Sequence, residues 1–142
     1  MKEYHTSIQI DQPIKAVWDF LTDFEKYPEW NPLVGELTGE LIEGATIKTY
    51  IRPLAKAFYP ILLSVKQGSE IEWQGFQGAK FLLAGRHYYR LKSLDAQRTQ
   101  LDHGEYFTGL FSFFISPSLL KKMEDTFIHH NETLKRLLEN EK

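Results

Sequence analysis

From residue 3 to residue 10 the chain reads EYHTSIQI, which alternates well enough to predict a strand. The period then changes. Ile14, Val17, Trp18 and Leu21 stand at i, i+3, i+4 and i+7, the single apolar stripe of a short helix. Asp11 is placed to cap that helix, with Pro13 in its first turn. DFEKYPEWNP predicts a second short helix or a turn, stopped by Pro28 and Pro32. From 33 to 107 the signals are strands, near 34–41, 46–52, 58–66, 69–75, 80–92 and 97–107, punctuated by Gly39, Gly44, Gly68 and Gly78. KQGSE reads as a tight hairpin turn, and SLDAQR as the turn between the last two long strands.

The end of the chain is helical. Ser116 suits an N-cap with Pro117 at the first helical position. Leu120, Met123, Phe127, Asn131, Leu134 and Leu138 then recur at spacings of three or four, over about five turns. Such a helix cannot bury its stripe alone and needs the concave face of a sheet. The expected fold is α+β: a curved antiparallel sheet of about seven strands, in the order strand, two short helices, six strands, wrapped around one long C-terminal helix. A twisted sheet around a single helix leaves space between them, and a ligand would go there.

The 142 residues suit a single domain over 1–142. There is no cysteine, which excludes disulfides, thiolate metal sites and thiol nucleophiles and fits a reducing cytoplasm. The start, MKEYHTSIQI, lacks the apolar run of a signal peptide, and no stretch is apolar for long enough to predict a membrane span. The net charge is −2 with both signs scattered, so no basic footprint predicts nucleic acid as a partner. Aromatic residues make up 14%, including ten Phe and three Trp, enough both to fill a core and to line an apolar pocket.

Several stretches resemble a known family. They are PIKAVWDFLTDFEKYPEWNP (13–32), IEWQG (71–75), FLLAGRHYYRL (81–91), TQLDHGEYFTGL (99–110) and FIHHNETLKRLLE (127–139). In this order they resemble the helix-grip superfamily called SRPBCC, related to START lipid-transfer domains, and within it the small bacterial polyketide cyclase/dehydrase-type proteins. The resemblance covers almost the whole chain and implies the helix-grip fold. Members that it resembles are mostly ligand carriers or proteins with no assigned reaction, and the resemblance singles out no one activity, since one fold carries many functions. It supplies no catalytic residue.

The chemistry concentrates on two strands. His103, Glu105 and Phe107 share one strand face, as do His87 and Tyr89 on its partner. A turn centred on Asp95 would set His87 opposite His103 and Gly85 opposite Glu105. Three ionisable groups on a buried face are costly unless each finds a partner. They form an internal network, the polar end of a ligand cavity, or a general acid–base pair. Two His and a Glu match a three-ligand metal site in number, but without local spacing no metal is predicted. Trp73, Met123 and Phe127 are candidate apolar lining. The connecting segment GLFSFFISP brings Phe111, Phe113 and Phe114 together, either as the mouth of a cavity or as loop packing.

No nucleophile elbow, P-loop or dinucleotide fingerprint occurs, and no cofactor is predicted. The outward strand face, with Arg86, Tyr88, Arg90, Gln100, Asp102 and Tyr106, is solvated or joins a homodimer. The expected function is a cytoplasmic carrier or sensor of a small hydrophobic molecule (lipid, polyketide, quinone or isoprenoid). The alternatives are a cyclase or dehydratase using the same cavity, and an interaction module with a filled core.

Overall fold

The computed structural model describes residues 2–76 and 83–140, with Phe76 and Phe111 through their backbones only. Gly78 and the start of the strand expected over 80–92 lie outside the described residues.

β1 (Lys2–Ile10), β5 (Ile61–Lys66), β6 (Glu70–Phe76), β7 (Ala84–Asp95) and β8 (Arg98–Thr108) form one antiparallel sheet, in the order β1-β8-β7-β6-β5. β2 (Val34–Thr38), β3 (Lys48–Ile51) and β4 (Lys56–Phe58) form a second, three-stranded sheet. With the long helix α3 (Pro117–Asn140) against them, this is the expected α+β helix-grip architecture. The strand expected over 58–66 is two strands. Pro60 has no N–H to give a ladder, so pairing stops there and resumes at Ile61, which bridges Thr46.

Two expectations about helix ends are corrected. Asp11 does not cap α1 (Ile14–Leu21); Pro13 holds the N-cap position in an extended conformation. The backbone N–H of Asp11 instead donates to Glu139 Oε2 at 2.8 Å, tying this corner to the last turn of α3. Nor does Pro28 stop α2 (Tyr27–Trp30). It sits in the first turn, where a missing N–H costs no bond. The chain turns at Asn31, whose Oδ1 accepts the N–H groups of Leu33 and Val34, both at 2.8 Å. Ser116 does cap α3, its Oγ accepting the Leu119 N–H at 3.1 Å.

The α3 stripe is buried at Met123, Phe127, Asn131, Leu134 and Leu138. Val17, Trp18 and Leu21 of α1 complete the core. Among the described residues no helix is long and apolar enough to cross a membrane.

The β7–β8 register differs from the expected one by two residues. His87 pairs with Glu105, Tyr89 with His103, and Gly85 with Phe107. The turn proper is Ala96–Gln97, held by Asp95, which accepts from the Gln97 N–H at 2.9 Å and from Arg98 Nε at 2.6 Å. An irregularity between Ser93 and Asp95 completes the shift. A two-residue slip changes partners but not faces, so the three ionisable groups still share the inner face. Outside, cross-strand contacts join Arg90 to Glu70 at 3.2 Å and Arg86 to the Tyr106 hydroxyl at 3.2 Å.

Candidate functional site

Three rows cross the inner face of the large sheet. The first is Trp73–His87–Glu105–Tyr4, in register from β6 to β1. The second, two residues along each strand, is Gly75–Gly85–Phe107. The third, on the other side, is Ile71–Tyr89–His103–Thr6.

Two facing glycines leave the β6–β7 part of the second row without side chains where a sheet would normally carry them. A Cβ at Gly85 would meet Glu105 Oε2 at 3.0 Å and the Phe107 ring at 3.1 Å; at Gly75 the nearest neighbour is Pro60 at 3.8 Å. Above this floor lies a cavity of about 240 Å³. Its roof is Leu119, Leu120, Met123 and Phe127 of α3. Thr49, Ile51 and Phe58 of the small sheet close one side. Among the described residues its ionisable lining is His87 and Glu105, with no Lys or Arg.

Glu105 keeps some accessible surface, and it borders the cavity. The Tyr4 hydroxyl donates to its Oε1 at 2.7 Å. Burial pushes the Glu105 carboxyl up to about 7, the Tyr4 bond pulling weakly the other way. Burial and the neighbouring carboxylate push the Tyr4 phenol well up. His87 stacks on Trp73, with ring centres 4.1 Å apart and planes 11° apart. Its Nε2 lies 2.8 Å from His103 Nε2, while its Nδ1 is buried with no partner.

Behind this wall the third row carries a hydrogen-bonded network closed by α3. Asn131 Oδ1 lies 2.8 Å from His103 Nδ1 and 3.0 Å from His130 Nδ1. His130 Nε2 is 2.8 Å from the Tyr89 hydroxyl, and Asn131 Nδ2 donates to Thr6 Oγ1 at 2.8 Å. Phe127 stacks on His103 with ring centres 4.2 Å apart. Burial pushes all three imidazoles down, His130 to about 4 and His87 and His103 well below the usual value.

Of the residues expected to bind a ligand, six border the cavity: Trp73, His87, Glu105, Phe107, Met123 and Phe127. His103 and Tyr89 do not reach it. They stand one row further, covered by Phe127, His130 and Asn131, and serve the network instead. Phe114 is 80% exposed, and Phe113 72%. The segment Leu110–Phe114 is a 3₁₀ turn that buries Ser112, whose Oγ donates to the Gly109 carbonyl at 2.7 Å. At three residues per turn, Ile115 shares the inward side and lines the cavity, where Phe113 and Phe114 do not. Phe111's side chain lies outside the described atoms.

Sequence reasoning missed Tyr4 as the partner of Glu105, His130 as a network member, and the facing glycines. One signal was readable: Asn131 is a polar residue inside an otherwise apolar stripe.

Comparison with known proteins adds a family. The model for "Polyketide cyclase / dehydrase and lipid transport" matches residues 1–139. Among solved structures, a START superfamily protein from Mycobacterium smegmatis superposes with a TM-score of 0.74 at 15% identity, covering 99% of both chains. The Zhui aromatase/cyclase from Streptomyces sp. R1128 gives 0.73 at 17% identity, over 97% of this chain and 93% of that one. The hypothetical protein jhp0584 from Helicobacter pylori gives 0.77 at 13% identity, over 96% and 87%. These likenesses show the fold. No curated protein matches the sequence.

Proposed function

Because the chain belongs to the polyketide cyclase / dehydrase and lipid transport family, we propose that it binds and carries a small hydrophobic molecule between α3 and the sheets. The supporting observation is the cavity of about 240 Å³, walled by aliphatic and aromatic side chains with one short polar stretch. Small-molecule sites are concave, mostly apolar and furnished with a few placed polar groups. An apolar cavity of about 150 Å³ already takes up benzene. The space here suits two fused rings or a comparable length of hydrocarbon. It argues against an interaction module with a filled core.

One observation favours the enzymatic reading. Glu105 and His87 face each other across β7 and β8 at the cavity wall, the pair that a cyclase or dehydratase would use for general acid–base work. His87→Phe separates the readings: a catalyst loses turnover and keeps affinity, whereas a carrier loses affinity.

Native mass spectrometry of the purified chain, paired with solvent extraction, tests the proposal. The expected result is one extractable apolar adduct per chain, or stoichiometric uptake of added naphthalene. A bare chain that takes up no apolar probe would sink it.

A further inference from the structure

The network behind the cavity wall has one internally consistent assignment of protons. The Thr6 hydroxyl lies 2.5 Å from the His103 carbonyl, which can only accept, so the single hydroxyl proton is used there. The group that Asn131 turns toward Thr6 must then be its amide NH₂. Its Oδ1 consequently faces both imidazole Nδ1 atoms, and each must carry a proton to donate. With Nδ1 protonated, neutral His130 accepts the Tyr89 hydroxyl at Nε2, and neutral His103 presents a lone pair at Nε2. His87 satisfies that lone pair only by donating from its own Nε2. Its Nδ1 is left as a bare acceptor, buried and unpartnered, on a residue that borders the cavity. Burial of the three imidazoles, which holds their pKa values down, keeps them in the neutral forms this assignment needs.

The neighbouring group has the same character. Glu105 Oε1 is taken by the Tyr4 hydroxyl, and Oε2 faces the bare glycine row at Gly85. When ionised, the carboxyl only accepts. When protonated, it both donates and accepts. Among the described residues no cation lines the cavity to meet an anionic ligand.

We propose that this end of the cavity receives a hydroxyl group, so that the molecules taken up are neutral apolar alcohols or phenols rather than carboxylates or phosphates. The inference rests on the cavity-binding reading above. A hydroxyl donates to an acceptor and accepts from an acid, so it suits Glu105 in either protonation state. An ether or carbonyl oxygen suits only the protonated acid. A carboxylate would be desolvated beside a second carboxyl with no counter-charge, which is strongly unfavourable.

A matched series of probes on the unmodified protein tests this: naphthalene, 2-naphthol, 2-methoxynaphthalene and 2-naphthoate, titrated calorimetrically at about pH 8, above the Glu105 value of about 7. The expected order is 2-naphthol about tenfold tighter than its methyl ether, the return from one buried hydrogen bond to a charged acceptor, with 2-naphthoate weakest. In Glu105→Leu the advantage of naphthol over the ether should shrink below about twofold while naphthalene still binds. Nitrogen-15 NMR of labelled histidine should show His87 protonated at Nε2 and His103 and His130 at Nδ1.

If the ether equals naphthol, or naphthoate binds tightest, the hydroxyl assignment is overturned while cavity binding stands. Full preference retained in Glu105→Leu, or a His87 proton found on Nδ1, overturns it equally. If no probe binds, naphthalene included, both readings fall.

Discussion

Glu105 stands directly across the β7–β8 pair from His87, and burial drives the two in opposite senses: the carboxyl holds its proton more tightly, the imidazole less. Their contributions to stability therefore oppose each other as pH changes. For His87, His103 and His130 the stabilisation is present above the ordinary value of 6.5 and lost as pH falls below it. For Glu105 it is present below 4.5 and lost as pH rises through about 7. Between those limits unfolding takes up to three protons at the histidines and releases one at Glu105. Stability should fall steeply on acidification below about pH 6.5, which urea midpoints from about pH 4.5 to 8 would check. A flat or inverted profile would contradict the burial of the three imidazoles.

Glu105→Gln removes the opposing contribution and keeps an acceptor for Tyr4. At about pH 8 the variant should be more stable than the parent, by at most about 3 kcal/mol. The gain should vanish toward pH 4.5. Chemical denaturation at both pH values measures it.

Asn131→Leu preserves volume on α3 but removes the junction of the buried network. Two imidazole N–H groups lose their acceptor and Thr6 loses a donor. Each abandoned buried group costs about 1–3 kcal/mol, so a loss of about 3 kcal/mol or more is expected in urea unfolding. A near-neutral outcome would mean that water replaces the amide.

Two glycine substitutions should separate sharply. A Cβ on Gly104 would lie 2.6 Å from the Tyr88 hydroxyl oxygen and 2.7 Å from the Tyr4 carbonyl, a backbone atom of the neighbouring strand. Gly104→Ala must push β1 off β8 and should cost about 3 kcal/mol or more. Gly68, at φ +81°, has open space around it. Gly68→Ala therefore costs only the left-handed backbone strain, about 1 kcal/mol. Thermal melts of the two variants side by side decide the contrast.

Leu120 projects into the cavity from the first turns of α3. A larger ring there has free volume to occupy. Leu120→Trp should weaken naphthalene uptake more than about tenfold while shifting stability by less than about 1.5 kcal/mol. A variant that still bound naphthalene would move the binding site elsewhere.

The long helix and its start were legible because periodicity and capping are local signals: Ser116, Pro117 and the stripe from Leu120 to Leu138 need nothing beyond their own spacing. The inner-face grouping of His87, His103 and Glu105 was legible for the same reason, since alternation survives a slip of two. The identity of their partners was not. It depends on a turn held by the Asp95 side chain and on an irregularity beside it, neither of which alternation records. Tyr4 and Glu105 are 101 positions apart, and only the strand order brings them together. The exposure of Phe114 was not legible, because composition says that a segment is apolar, not which way its rings point.

The glycine pair at positions 75 and 85 has one more consequence. The depth of the cavity is set there by missing atoms, between strands that pair on both sides of the glycines. A methyl group added at Gly75 would meet nothing closer than Pro60 at 3.8 Å, so the backbone need not yield. Relatives with the same frame could therefore hold longer or shorter cargo by single-residue changes at one spot, leaving the buried imidazole network untouched. At Gly75 depth changes apart from polarity, whereas at Gly85 an added methyl would also press on Glu105 Oε2 at 3.0 Å.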